Sequence, residues 1–253
     1  PIIKDFVYIL TQCNDDIESA IQESYYDTLV KLQVSSGDHK PVPTLLVNKF
    51  IANKGDKVLV VGDPSGSLSA HLIHKRGVDP QDIVVYEEIE AHKCRISSVD
   101  SRITIIESLD NLVMKFTRII GNPPYNAPSK STGNTKWDKF IPKCLNLLED
   151  GGTLSFITPG RWRQPEDRLS YIYKDYQLVS LEIYDIKDGK KTFNANTAYD
   201  VYTIKKVKPT EPTDILFSDG VRESIDVTNL PFIPNSKWEF WKECFNDSSD
   251  KYE

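Results

Sequence analysis

Cysteine and histidine are both scarce in this chain, and their scarcity removes several chemistries at once. The four cysteines, Cys13, Cys94, Cys144 and Cys244, lie far apart with no paired spacing. They make neither a zinc site nor a disulfide framework, which predicts a reducing, cytoplasmic setting. The four histidines, His39, His71, His74 and His92, are too scattered to assemble a metal centre. His71 and His74 can share a helix face, but two histidines without a third ligand are usually surface residues. No metal is expected. Long apolar runs are missing as well: none reaches the length needed to cross a bilayer. The first residues lack the apolar stretch of a signal peptide, so no membrane association is expected. Internal repeats and low-complexity tracts are also lacking.

Excess positive charge is the remaining absence. The formal net charge is −6, which predicts weak nonspecific binding to nucleic acid, because phosphate contacts need a basic face. The sign is uneven along the chain. Acid dominates Asp5 to Glu23 and Glu239 to Glu253, and base dominates Lys130 to Lys143, Arg161-Trp162-Arg163 and Lys187 to Lys208. A local basic face is therefore available.

What is present is an alternation of short apolar runs and amphipathic stretches, within a length of 253 residues that suits one α/β domain and a small appendage. Asp15 to Gln33 has helical spacing, and Pro43 to Phe50 starts a second helix with proline in its first turn. Lys57–Val61, Asp82–Tyr86, Ile103–Ile106, Thr117–Gly121 and Leu154–Thr158 read as strands. Helical stretches fall between them at Ser69–Lys75, around Glu88–Arg95, and at Trp137–Leu148, the last closed by Gly151-Gly152. Strands alternating with helices imply a mainly parallel sheet, with ligands at the carboxyl ends of its strands. Leu178–Ile186 and Ala198–Lys206 predict a late antiparallel hairpin at the sheet edge. Beyond Lys208, prolines suggest irregular connections and a short helix near Trp238 to Phe245.

Three strand ends carry the chemistry. After the first strand, Gly62-Asp63-Pro64-Ser65-Gly66 makes a tight turn with exposed amides, suited to a nucleotide-like ligand. After the second stand Glu87 and Glu88, either of which can hold both hydroxyls of a ribose. Consecutive glutamates also begin a helix well, by charge–dipole attraction. After the fourth come Asn122-Pro123-Pro124-Tyr125. Two consecutive prolines remove two donors and stiffen the backbone. The corner then presents the Asn122 amide and the Pro123 carbonyl beside the Tyr125 ring, an arrangement suited to a planar amino group. The plain alternative is a chain terminator following a strand.

From Pro41 to Lys206 the chain resembles the S-adenosylmethionine-dependent adenine-N6 DNA methyltransferases of restriction–modification systems. Ile119-Ile120-Gly121-Asn122-Pro123-Pro124-Tyr125, followed by Trp137-Asp138-Lys139-Phe140-Ile141, is the most specific part. The resemblance implies a Rossmann-like class I methyltransferase fold: a mainly parallel seven-stranded sheet with a late antiparallel hairpin and helices on both faces. It divides the chain into an N-terminal helical segment (1–40), a catalytic domain (41–208) and a C-terminal extension (209–253). It implies that Pro43 and Thr44 pack over the methionine moiety of the cofactor. Asp63, Pro64 and Ser65 begin the cofactor loop. Glu88 binds the ribose, with Glu87 as the alternative register. Ser108 stands where the family has an adenine-binding aspartate. Asn122, Pro123, Pro124 and Tyr125 form the catalytic corner, with Asn122 also lining the cofactor site, and Phe193 stacks on the far face of the target base. The family's loop has two later glycines, whereas Asp63-Pro64-Ser65-Gly66-Ser67-Leu68 is either one residue short or lacks both, and Leu68 at the second glycine position is expected to crowd the methionine end. The implied partners are DNA and a specificity or nuclease subunit. Arg161, Arg163 and the lysines from Lys130 to Lys143 are candidate phosphate contacts. Two further readings share these residues: methylation of a glutamine amide or an rRNA base amine, and a noncatalytic subunit.

Overall fold

The computed structural model describes residues 42, 44–110, 112–125, 136–165 and 167–249. The helix expected over Asp15–Gln33 and the proline at Pro43 lie outside the described residues. Helix α1 spans Thr44–Val47, β1 Val58–Val61, α2 Ser67–His74, β2 Ile83–Tyr86 and α3 Glu90–Val99. They are followed by β3 at Thr104–Ile106, β4 at Phe116–Gly121, α4 at Trp137–Leu147 and β5 at Leu148–Thr158. A 3-10 turn at Gly160–Arg163 and the short α5 at Ile172–Asp175 lead to β6 at Gln177–Tyr184, α6 at Ile186–Phe193 and β7 at Tyr199–Lys205. The chain continues with β8 at Thr213–Leu216, β9 at Arg222–Ile225 and α7 at Trp238–Ser249.

Among the described residues the sheet has nine strands in the order β3-β2-β1-β4-β5-β7-β6-β8-β9, not the seven expected. Strands β1 to β5 pair in parallel, while β7 runs antiparallel between β5 and β6. The late pair is therefore interior. The expected edge position is taken by β8, parallel to β6, and β9, antiparallel to β8. The tail expected to be irregular forms strands because Thr213–Leu216 and Arg222–Ile225, short and half polar, pair with neighbours that local alternation does not reveal.

All four residues of β1 and of β2 are buried, as expected of strands covered on both faces. One face, carrying Leu59, Val84, Ile119, Phe156 and Tyr202, packs against α4 through Phe140, Ile141 and Cys144. The other, carrying Val58, Val60, Val85, Ile120 and Val201, packs with Leu46, Leu72, Ile96 and Phe193 from α1, α2, α3 and α6. Gly151-Gly152 lies inside β5 rather than closing α4. Gly151 has φ +80°, and a side chain on Gly152 would press on Thr117 O at 2.9 Å, so the pair lets β5 approach β4 at its register shift.

The strand order reverses at β1 and β4, which leaves a crevice beyond their carboxyl ends. The pairings Val61↔Gly121, Val61↔Tyr86 and Tyr86↔Ile106 bring three segments into line along that edge. They are Gly62–Ser65, Glu87–Glu88 and Asn122–Tyr125.

Candidate active site

Gly62, at φ +78°, turns the chain off β1, a conformation that favours glycine. Asp63 is buried and folds back over the start of α2. Leu68 N (3.1 Å), Ser69 N (2.9 Å) and Ser69 Oγ (2.7 Å) all donate to its carboxylate. The two amides are orphan donors of a helix N-terminus. Burial raises the Asp63 carboxyl above its ordinary range, against the pull of those three donors. The side chain thus secures the loop rather than facing the crevice. Pro64 O accepts from Arg95 Nη1 of α3 at 3.0 Å, and Ser65 and Ser67 share a hydroxyl contact of 2.9 Å. Gly66 is needed for packing, since a Cβ there would meet Val99 Cγ2 at 2.9 Å.

Leu68 corrects an expectation. Its side chain is fully buried in the core with Val58, Val60 and Leu72, so it does not crowd the cofactor end of the crevice. The helical turn starting at Ser67 rotates it inward, and this could not be read from the spacing of glycines.

The two glutamates have opposite orientations. Glu87 is buried, and its Oε1 accepts from Glu88 N (3.0 Å) and Ile89 N (3.1 Å) and lies 3.2 Å from His92 Nδ1. It secures the entry to α3. Glu88 points into a cavity of about 230 Å³ bounded by Tyr86, Glu107, Ser108, Leu109, Asp110, Lys136, Lys139, Phe140 and Lys143. Tyr86 Oη donates to Glu88 Oε1, and Lys136 Nζ donates to Glu88 Oε2 at 3.2 Å. Burial, then the bond to Glu88, pushes the Tyr86 phenol well up, so it stays a donor. Ser108 lines the same cavity, its hydroxyl accepting from Asp110 N at 3.2 Å. Asp110 pairs with Lys143.

At the β4 end, Gly121 passes so close to β1 that a Cβ would overlap Val61 O. Asn122 is 3% exposed and Pro123 is buried, while Pro124 and Tyr125 are half-buried. The Tyr125 ring packs on the core face that carries Leu59 and Tyr202, and its buried hydroxyl has no hydrogen-bond partner among the described residues. Burial pushes that phenol well up, and the nearby Tyr199, Tyr202 and Asp200 add to the effect. Its carbonyl accepts from Lys136 N at 3.0 Å.

Phe193 ends α6 at the same edge of the sheet, but its ring is enclosed. It is 3% exposed and meets Tyr199 edge-on at 5.0 Å between centroids. In this structure no face of it is presented to a base. Thr44 opens α1. Arg163, expected at the surface as a phosphate contact, is instead buried against Asp200, while Arg161 is exposed and paired with Asp167 at 3.1 Å. The structure adds Tyr86 and Asp200 to the neighbourhood of the site as structural partners, and gives Lys136 and Arg163, read above as candidate phosphate contacts, structural contacts there. No motif spacing marks these contacts, because they span separations in sequence from 2 to 72 residues.

The strand order, the crevice at its reversal and the interior antiparallel β7 define a class I methyltransferase-like fold. The chain belongs to the Eco57I restriction-modification methylase family, whose signature matches residues 67–193, half of its length. Among solved structures, a chain of a type I R-M system is 13% identical, with a TM-score of 0.57, covering 98% of this chain and 60% of that one. A modification subunit of a putative type I restriction enzyme from Vibrio vulnificus YJ016 is 14% identical, with a TM-score of 0.55 and coverages of 96% and 60%. The type I methyltransferase subunit from Streptococcus thermophilus is 14% identical, with a TM-score of 0.50 and coverages of 79% and 50%. These likenesses concern the fold, and the chain spans about 60% of the length of the first two. A search of curated proteins finds no match. Among the described residues, no helix is long and apolar enough to cross a membrane.

Proposed function

We propose that the chain transfers a methyl group from S-adenosylmethionine to the N6 amino group of adenine in DNA, with the base flipped out of the duplex. One observation carries the reading. The Asn122–Tyr125 corner lies one strand from the Gly62–Ser65 turn at the reversal of the sheet, with the Glu88 cavity one strand further on.

The residues present fit the cofactor. The cavity of about 230 Å³ is below the usual size for a whole drug-sized ligand, and suits its nucleoside end. Glu88 offers its carboxylate to the ribose hydroxyls, and Ser108 and Asp110 offer polar groups to the adenine. Pro43 and Thr44, from the segment before β1, are assigned to its methionine end. With Leu68 turned into the core, the strip between Gly62 and Asn122 is left to the sulfonium region. When bound, S-adenosylmethionine supplies an electrophilic methyl group.

The adenine amino nitrogen is a poor nucleophile, because its lone pair is delocalised into the ring. Asn122 Oδ1 and the Pro123 carbonyl accept hydrogen bonds from its two N–H groups and favour a pyramidal nitrogen in the transition state. The proline corner holds those acceptors in place, so little ordering is left for the moment of reaction. Tyr125 stacks on the flipped base, a contact worth about 1–3 kcal/mol. Phosphate contacts fall to the exposed Arg161, Lys139 and Lys143. We take residues 41–208 as the catalytic unit, with β8 and β9 of the extension completing its sheet. The partners are DNA and, in the manner of a modification subunit, a specificity or nuclease subunit.

The test is incubation with unmethylated genomic DNA and S-adenosylmethionine carrying an isotopic methyl label, followed by nucleoside analysis. Label in N6-methyladenine supports the reading. Label in cytosine, in RNA or in protein overturns the acceptor. Absence of cofactor binding by calorimetry overturns the enzyme altogether.

A further inference from the structure

The ribose-facing carboxylate is not free-standing. Glu88 is half exposed, at 48%, and an exposed glutamate ordinarily samples several rotamers. Here both of its oxygens are held, Oε1 by the Tyr86 hydroxyl and Oε2 by Lys136 Nζ at 3.2 Å. Tyr86 is itself locked, edge-on against Phe140 of α4 at 5.1 Å. Lys136 starts from a fixed point, since its amide donates to Tyr125 O at 3.0 Å and its carbonyl accepts from Lys139 N at 3.0 Å. Each carboxylate oxygen has two acceptor sites. One site on each is taken, leaving one on each oxygen for a ligand. Two parallel acceptors on one rigid carboxylate match a vicinal diol.

We infer that Lys136 is a positioning residue that orients Glu88 for the two hydroxyls of a ribose. Its contribution is geometric, because an ion pair this exposed adds little to stability. The inference rests on the cofactor reading above and adds a residue to it. Lys136 lies outside the turn, the ribose acid and the Asn-Pro-Pro-Tyr corner. Its amide bonds Tyr125 O beyond β4 while its side chain reaches Glu88 beyond β2, so the start of α4 lies beside both strand ends.

The test uses the full chain and two ligands: S-adenosylhomocysteine and its 2′-deoxyribose counterpart, each titrated by calorimetry. The wild type is expected to prefer the ribose form by at least about tenfold, the value of one well-oriented charge-assisted hydrogen bond. Lys136→Met is expected to weaken the ribose form by about fivefold to tenfold and the deoxy form, which keeps its 3′-hydroxyl, by clearly less, so the preference narrows. Lys136→Arg, which restores a donor, is expected to recover part of it. Equal weakening of both ligands, or an unchanged preference, overturns the role of Lys136. Equal wild-type affinity for the two ligands overturns the diol site and the inference with it. If the wild type binds neither ligand, the cofactor reading itself fails, which is a separate result.

Discussion

Arg163 and Asp200 form a two-pronged ion pair within the protein, with Nε 2.6 Å from Oδ2 and Nη2 2.9 Å from Oδ1. The partners are 4% and 1% exposed. Gly160 allows the approach, because a Cβ there would meet Arg163 Nη2 at 2.6 Å and both Asp200 oxygens at 3.0 Å. Further arginine donors reach Ile233 O at 2.7 Å and Asn235 Oδ1 at 3.0 Å. One residue thus joins the turn after β5, the start of β7 and the segment before α7. Removing one partner leaves an uncompensated charge in the core. Arg163→Met alone is therefore expected to cost about 3–5 kcal/mol in chemical denaturation, and the double change with Asp200→Leu to recover much of it. If Arg163 instead contacts phosphate, the single change will weaken DNA binding and leave stability intact.

Asn122→Ala removes the side-chain acceptor without disturbing the proline corner. Methyl transfer is expected to fall by at least about a hundredfold. Cofactor affinity, measured by calorimetry, is expected to stay within about threefold of wild type, a difference of under about 1 kcal/mol. Equal loss of both in a folded variant contradicts the assigned role.

The two glutamates separate in a paired experiment. Glu88→Ala is expected to weaken cofactor binding about tenfold to a hundredfold with little change in melting temperature. Glu87→Ala leaves Glu88 N and Ile89 N without their acceptor. It is expected to cost about 1–3 kcal/mol of stability with a smaller effect on affinity. The reverse pattern would make Glu87 the ribose acid.

Gly121 tests the close approach of β4 to β1. The obstacle to a side chain is the backbone carbonyl of Val61, which cannot move aside as a side chain can. Gly121→Ala is expected to destabilise the fold by about 3 kcal/mol or more, at or above the common range for overpacking. A melting curve like that of the wild type would show that the two strands can part there.

Asp185 begins α6 with a capping box, accepting from Lys187 N at 2.7 Å and Asp188 N at 3.0 Å. The bond from the Asp188 amide, with that from Lys187, holds its carboxyl below the ordinary value of 3.8. A depressed carboxyl adds stability above its unfolded value and loses it as pH falls through the lower, folded one. An asparagine at this position would keep the cap geometry and drop the charge. The melting temperature of Asp185→Asn is therefore expected to lie below wild type near neutral pH, and to converge on it below roughly pH 3.8. A gap independent of pH would assign the effect to geometry alone.

Much of this architecture is legible along the chain. The parallel strands β1 and β2 announce themselves because a strand buried on both faces must be a short, nearly unbroken apolar run. The Asn122–Tyr125 corner announces itself because two prolines can do little else at a strand end. The strands β8 and β9 do not, since these short strands at and next to the sheet edge carry polar residues that resemble loops. Arg163 misleads for a related reason: a charged residue in a basic run looks like surface until its partner, 37 positions away, is placed beside it.

The ordered types along the chain were enough to establish an alternating α/β unit, three candidate strand-end segments, and which strand each of them follows. These depend on local periodicity and on the backbone limits of proline and glycine, both written into neighbouring residues. Which glutamate faces the cavity, where Leu68 turns, and what holds Glu88 and Arg163 all depended on packing. Those outcomes are set by contacts between segments far apart in the chain, where burial and hydrogen-bond satisfaction choose among orientations that local preference leaves nearly equal.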